Sequence, residues 1–174
     1  KATRHEWQTE DLATPDTGGT LEGDDTTSFE ENVTTRVSNI CQIRKRAFVV
    51  SGTQEKVDKA GRPSEIARHS LLKGKEIKRD IEAAMLSANP SVLESGSTPR
   101  TMGGIQSWIE TSVDLGSGGS AGGFNTSTSI VDAPTTGTNR AFAESQVKSV
   151  MQSIFTNSGQ MKRRTLYVSP ANKE

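Results

Sequence analysis

Apolar and polar positions alternate from Asn39 to Ser51, and beyond Gly61 the spacing becomes helical. One face of the first stretch shows Cys41, Ile43, Lys45, Ala47 and Val49. The other shows Ile40, Gln42, Arg44, Arg46, Phe48 and Val50. A period of two predicts a strand, here with a basic centre. At ~3.3 Å per residue it would reach ~43 Å, long for a strand in a compact domain. Lysine and arginine at its middle discourage edge pairing, so the pattern reads as an arm.

Gly61-Arg-Pro-Ser-Glu65 then carries a helix start signal, with Pro63 or Ser64 suited to the first positions. Ile66, Ser70, Gly74, Ile77, Ile81 and Ala84 follow at helical spacing, flanked by Ala67, Leu71 and Met85. The opposite side holds Arg68, Lys75, Lys78, Arg79 and Glu82. The spacing predicts a helix from Ser64 to about Ala88, ~37 Å long, ended by Asn89-Pro90. Gly74 at its middle costs up to ~1 kcal/mol relative to alanine, which predicts close packing there.

The remaining segments are shorter. Residues 5–13 read as an extended piece anchored by Trp7, and residues 14–35 have loop composition. Residues 98–111 predict a turn and a short amphipathic piece burying Ile105, Trp108 and Ile109. Gly116–Thr138 reads as a long flexible loop. Ala141–Asn157 predicts a helix with a stripe of Phe142, Val147, Val150, Met151, Ile154 and Phe155, stopped at Gly159. Thr165–Ser169 predicts a buried strand.

Composition sharpens the picture. Only 31% of the 174 residues are apolar, while serine and threonine together supply 40. Globular domains average nearer ~45% apolar when Gly is counted, so a private core must be thin. Such a chain either stays partly disordered or takes its missing burial from neighbouring subunits, and the helix and strand patterns favour the second. Net charge is zero but segregated. Residues 1–31 carry nine acids against two bases, and residues 32–82 twelve bases against six acids. Such a split can steer contacts between copies. The one cysteine permits no internal disulfide. No stretch approaches the ~20 apolar residues of a membrane helix. The chain opens without Met and closes just beyond a predicted strand, as a fragment would.

Chemistry finds little support. Gly118-Gly-Ser120-Ala-Gly122 matches a nucleophile elbow in letters, but its flanks are Gly and Ser and both histidines lie upstream. It reads as linker. His69 has no second ligand at metal spacing and reads as structural. His5 reads as exposed, and Cys41 as a small buried thiol. Glu65, Glu76 and Asp80 read as helix-surface carboxylates. Two basic clusters, Arg44–Arg46 and Lys162–Arg164, could neutralise phosphates, which leaves a nucleic-acid-binding module as the alternative function. The aromatic interleaving of a stacking surface is missing apart from Phe48 and Tyr167.

Several segments in order resemble the major head (major capsid) protein family of tailed phages, with the Hong Kong 97-type fold. They are His5-Glu-Trp7-Gln-Thr, Thr35-Arg36-Val37-Ser-Asn39, Val50–Arg62, Gly74–Glu82, Pro99–Ile109 and Leu166–Lys173. The resemblance implies an α+β phage capsid fold. Residues 1–60 would form an N-terminal segment and extended-loop β-hairpin, Trp7's segment pairing with Asn39–Ser51. Residues 61–112 would be a peripheral domain with the spine helix, residues 113–139 a Gly/Ser/Thr-rich loop, and residues 140–174 the beginning of an axial α/β domain.

It also implies a subunit, assembled in the host bacterial cytoplasm, that tiles an icosahedral virion shell as hexamers and pentamers. The shell would enclose double-stranded DNA without reading its sequence. Decoration or portal proteins are further partners of such a shell, and no membrane, cofactor or enzymatic activity is implied. The expected interface residues are Trp7, Arg36, Arg44, Lys45, Arg46 and Phe48, with Glu30 and Glu31 of the acidic segment facing a neighbour's basic arm.

Overall fold

The computed structural model describes residues 2–27, 29, 31–160 and 165–168. In chain order the elements are β1 (Arg4–Thr9), β2 (Thr35–Ile40), α1 (Gly52–Lys56), α2 (Glu65–Met85), α3 (Ile105–Trp108), β3 (Gly123–Asn125), β4 (Ile130–Asp132) and α4 (Glu144–Ser158). The fold is α+β, with two small antiparallel hairpins and one dominant helix.

The first hairpin pairs β1 with β2 in a register running from Arg4 opposite Ile40 to Thr9 opposite Thr35. Trp7 therefore faces Val37, and the expected strand over Asn39–Ser51 is corrected to Thr35–Ile40. The cause lies in register and burial. Val37, Ser38 and Ile40 are buried, whereas beyond Cys41, whose amide donates to the Thr3 carbonyl at 2.9 Å, no strand lies opposite among the described residues. Residues 41–50 instead run as an irregular strap to α1.

Helix α2 begins where the start signal places it. The Ser64 hydroxyl accepts from the Ala67 amide at 3.1 Å, capping the first turn. It ends at Met85, three residues short of the expected Ala88. Among the described residues nothing lies within 4 Å of where a Cβ on Gly74 would sit, so they do not supply the expected close packing. Ile66, Leu71, Ile81 and Met85 are all exposed.

Residues 116–138 are not one flexible loop. They hold β3 and β4, joined by a turn in which Asn125 Oδ1 accepts from the amides of Ser127 and Thr128 at 3.0 and 3.3 Å. Val131 of β4 is fully buried. Around it the core is largely polar, with Ser38, Ser91 and Ser107 all buried. Their hydroxyls bridge segments: Ser38 to the Ser129 carbonyl, Ser107 to the Asn89 carbonyl, and Ser91 as acceptor for the Val131 amide. A sequence this rich in serine closes its centre with hydrogen bonds where apolar side chains are lacking.

Three further expectations are corrected. Ile105 and Ile109 are exposed, because the single turn of α3 directs Ser107 inward, and Trp108 is half-buried. Cys41 is exposed. Thr165–Val168 are exposed and form no strand; Ser169 lies outside the described residues. Helix α4 begins at Glu144, three residues after the expected Ala141, and is closed as expected by Gly159 in the left-handed conformation, φ 62°. Of the expected stripe, Phe142 lies ahead of the helix, and Phe142, Met151 and Phe155 are exposed.

Candidate assembly interface

The residues that could meet a neighbour divide into the hairpin, the strap and the helix behind it. Trp7 on β1 packs against Trp108 at a ring-centroid distance of 5.1 Å, and Trp108 stacks on Phe124 at 6.0 Å. His5, exposed as expected, lies 5.5 Å from Trp7. This aromatic row joins β1 to α3 and β3, and Trp7 still leaves 37% of its surface open. Arg36 approaches Glu6 at 3.9 Å and remains largely exposed.

Among the described residues, the acidic segment between the two strands makes few hydrogen bonds. Asn32 Nδ2 donates to the Asp11 carbonyl at 2.8 Å. Leu12, Leu21 and Phe29 are 82–96% exposed. Glu31 is exposed, and Glu30 lies outside the described residues. Acids and large apolar side chains are thus presented together on an extended limb.

The strap's three basic residues have different fates. Arg44 and Lys45 are exposed. Arg46 forms a bidentate pair with Asp80 of α2, Nε to Oδ2 at 2.6 Å and Nη2 to Oδ1 at 2.7 Å. The forked contact holds the Asp80 carboxyl below the usual aspartate range and raises the Arg46 guanidinium in turn. Phe48 stacks on His69 at 5.6 Å, and His69 Nε2 lies 3.7 Å from Glu65. The structural reading of His69 therefore has a partner on each side.

A second carboxylate ties α1 to the start of α2. Glu55 Oε2 accepts from the amides of Glu65 and Ile66 at 2.9 and 3.3 Å. Its pKa falls to about 2, chiefly through the Ser64 hydroxyl and then these amides, against an opposing desolvation cost. Glu65 is buried beneath Arg62 and Arg68, each at 3.4 Å. Sequence reasoning missed Asp80 and Glu55 as partners. Asp80 lies 34 residues from Arg46, and no local spacing signals such a pair.

Open clefts flank the C-terminal half of α2. One of about 540 Å³ is lined by Arg46, Glu76, Arg79, Asp80 and Leu86 among others. Another of about 530 Å³ is lined by Lys78, Ile81, Glu82, Met85, Leu86 and Tyr167. Both are shallow surface features, suited to side chains of another protein more than to an enclosed small molecule. Among the described residues no group of His, Cys, Asp and Glu is placed to hold a metal ion, and no helix is long and apolar enough to cross a membrane.

The family model described as SU10 major capsid protein matches residues 1–174, the whole chain. The chain belongs to the SU10 major capsid protein family. Among curated proteins it is similar to the major capsid protein of Escherichia phage Phieco32, at 38% identity over 82 residues. That match covers 47% of this chain and 23% of the relative, so the chain spans only part of the relative's length. Membership makes it a viral structural protein of the bacteriophage capsid class, in line with the resemblance carried by its short motifs. Lys162–Arg164, one of the two clusters behind the nucleic-acid alternative, lies outside the described residues. In the other cluster, Arg46 is already engaged by Asp80.

Proposed function

We propose that this chain is part of a shell subunit whose copies complete one another's burial in an icosahedral phage head around double-stranded DNA. The observation that carries the reading is the unpaired apolar surface of a family member with a polar core. Among the described residues Leu12, Leu21 and Phe29 on the limb are 82–96% exposed, and Ile66, Leu71, Ile81 and Met85 on α2 are 42–67% exposed. Large apolar side chains left open in this number mark a protein interface.

In this reading residues 1–60 supply the extended-loop hairpin and residues 61–112 the peripheral domain, with α2 as its spine helix. Residues 113–139 form the connecting segment and residues 140–174 begin the axial domain. Hexamers and pentamers form when the limb of one copy lies across the next, acids against bases. Arg44 and Lys45, which form no salt bridge among the described residues, meet the acidic tract that includes Glu30 and Glu31, while Trp7, Arg36 and Phe48 border the contact. Arg46 contributes by holding the strap in place. The shell is a virion component assembled in the host bacterial cytoplasm, with portal and decoration proteins as further partners, and DNA is enclosed without sequence readout. The role is structural, with no catalysis and no cofactor.

Electron micrographs of the full-length protein test the reading directly: closed shells are expected, and their absence when the subunit is folded and concentrated overturns it. Arg44→Glu with Lys45→Glu should abolish shells while leaving the Arg46–Asp80 pair intact. Normal shells from that variant would remove the strap as a docking element.

A further inference from the structure

Helix α2 is bound closely at its C-terminal root and loosely along its length. At the root, Gln106 Nε2 donates to the Leu86 carbonyl at 2.7 Å, and the Gly104 amide donates to the Asn89 carbonyl at 3.0 Å. Gly104 and Ser87 approach so closely that a Cβ on Gly104 would stand 2.0 Å from the Ser87 carbonyl oxygen. The body at this root is also joined to the hairpin, through Asn39 on Gly103 and Arg100 Nε on the Cys41 carbonyl at 2.8 Å.

The strap leaves that body at Cys41 and reaches α1 at Ser51. Among the described residues, positions 42–50 make no backbone–backbone hydrogen bond. Two side chains fasten them to α2, Arg46 on Asp80 and Phe48 on His69. These attachment points are two residues apart on the strap. On the helix they are separated by about 16 Å at ~1.5 Å per residue. The two contacts therefore diverge along α2, the geometry that fixes an angle.

We propose that the strap is a releasable brace, with Arg46–Asp80 and Phe48–His69 as its two catches, that sets the angle between α2 and the hairpin-bearing body. The pivot is the Ser87–Asn89 link. The ion pair is partly exposed, with side-chain accessibilities of 45% and 26%, so salt weakens it. Opening breaks none of the i→i−4 bonds within α2. The brace acts within one subunit, so its failure and the failure of shell assembly are separate outcomes.

Paired spin labels on the full chain read the angle. With Cys41→Ser, labels at Lys75→Cys on α2 and Thr126→Cys on the β3–β4 turn should give one narrow distance population. Arg46→Gln should raise the share of a second, broader population by roughly fivefold, the loss of one well-formed exposed ion pair. Adding salt to about 0.5 M should do the same without any change at Arg46 or Asp80. Arg46→Asp combined with Asp80→Arg should restore the narrow population. An unaltered distribution in Arg46→Gln and at high salt overturns the brace, as does failure of the exchanged pair to restore it in a protein of unchanged helical content. Should Arg46→Gln fail to fold, the salt series alone decides.

Discussion

The side-chain amide of Asn39 pairs with the backbone of Gly103 in both directions. Its Nδ2 donates to the Gly103 carbonyl at 3.1 Å, and its Oδ1 accepts from the Gly103 amide at 2.9 Å. The same Oδ1 accepts from the Ile40 amide at 2.8 Å. One residue at the end of β2 thus docks the first hairpin onto the segment that precedes α3. Gly103 is crowded from its other side, where an added Cβ would stand 3.0 Å from Val131 Cβ.

Replacing Asn39 tests this docking. Asn39→Ala removes part-buried bonds each worth about 0.5–1.5 kcal/mol, so a loss of about 2 kcal/mol is expected in urea unfolding. Asn39→Asp should be at least as damaging, because a carboxylate oxygen would face the Gly103 carbonyl where a donor stood. An Asp variant as stable as the parent would show that the pairing contributes little.

Ser91 probes the polar core. Its hydroxyl is the acceptor for the buried Val131 amide at 2.6 Å. Ser91→Ala leaves that N–H unsatisfied at a cost of about 1–3 kcal/mol. Hydrogen exchange should show the Val131 amide losing protection before amides in the middle of α2. Unchanged protection would place the β4 anchor elsewhere.

Acid should loosen the α1–α2 junction through Glu55. Its folded pKa of about 2 lies below the ordinary 4.5, so the unfolded chain takes up the proton first. The stabilisation is complete above about pH 4.5 and drains away as pH falls toward 2; Asp80, also lowered, acts in the same direction. In urea midpoints measured against pH, the gap between the parent and Glu55→Gln should close across this window. A constant gap would show that the carboxylate charge is not what the amides hold.

Gly74 separates the needs of the chain from those of a shell. A Cβ there meets nothing within 4 Å, so Gly74→Ala should stabilise the isolated subunit by about 0.5–1 kcal/mol. Gly74→Leu should fold yet impair closed shells if a neighbouring copy approaches the glycine. Thermal melts read the first effect and electron micrographs the second. Shells formed normally by the leucine variant would mean that this part of α2 faces open space.

Legibility followed the range of the forces involved. Ser64 and Gly159 act on their own helices through bonds three or four residues away, so the ends of α2 and α4 could be read within a few positions. The family motifs around Trp7, Val37 and Gly74–Glu82 were legible as a pattern of order and spacing. The strand over Asn39–Ser51 was misread because alternation records which faces differ, not whether a partner lies opposite. The β3–β4 hairpin hid inside Gly/Ser/Thr-rich composition, where Val131 is the one residue that becomes fully buried.

By itself the sequence determined the long capped helix, the thin apolar supply and the segregation of charge, since each depends on neighbours in the chain or on simple counts. Tertiary structure alone decided that Arg46 meets Asp80, that Asn39 meets Gly103 and that three serines close the centre. Those contacts join positions tens of residues apart, and a hydrogen bond needs its partners within about 3 Å. Such proximity is set by how the whole chain folds, and no local spacing encodes it.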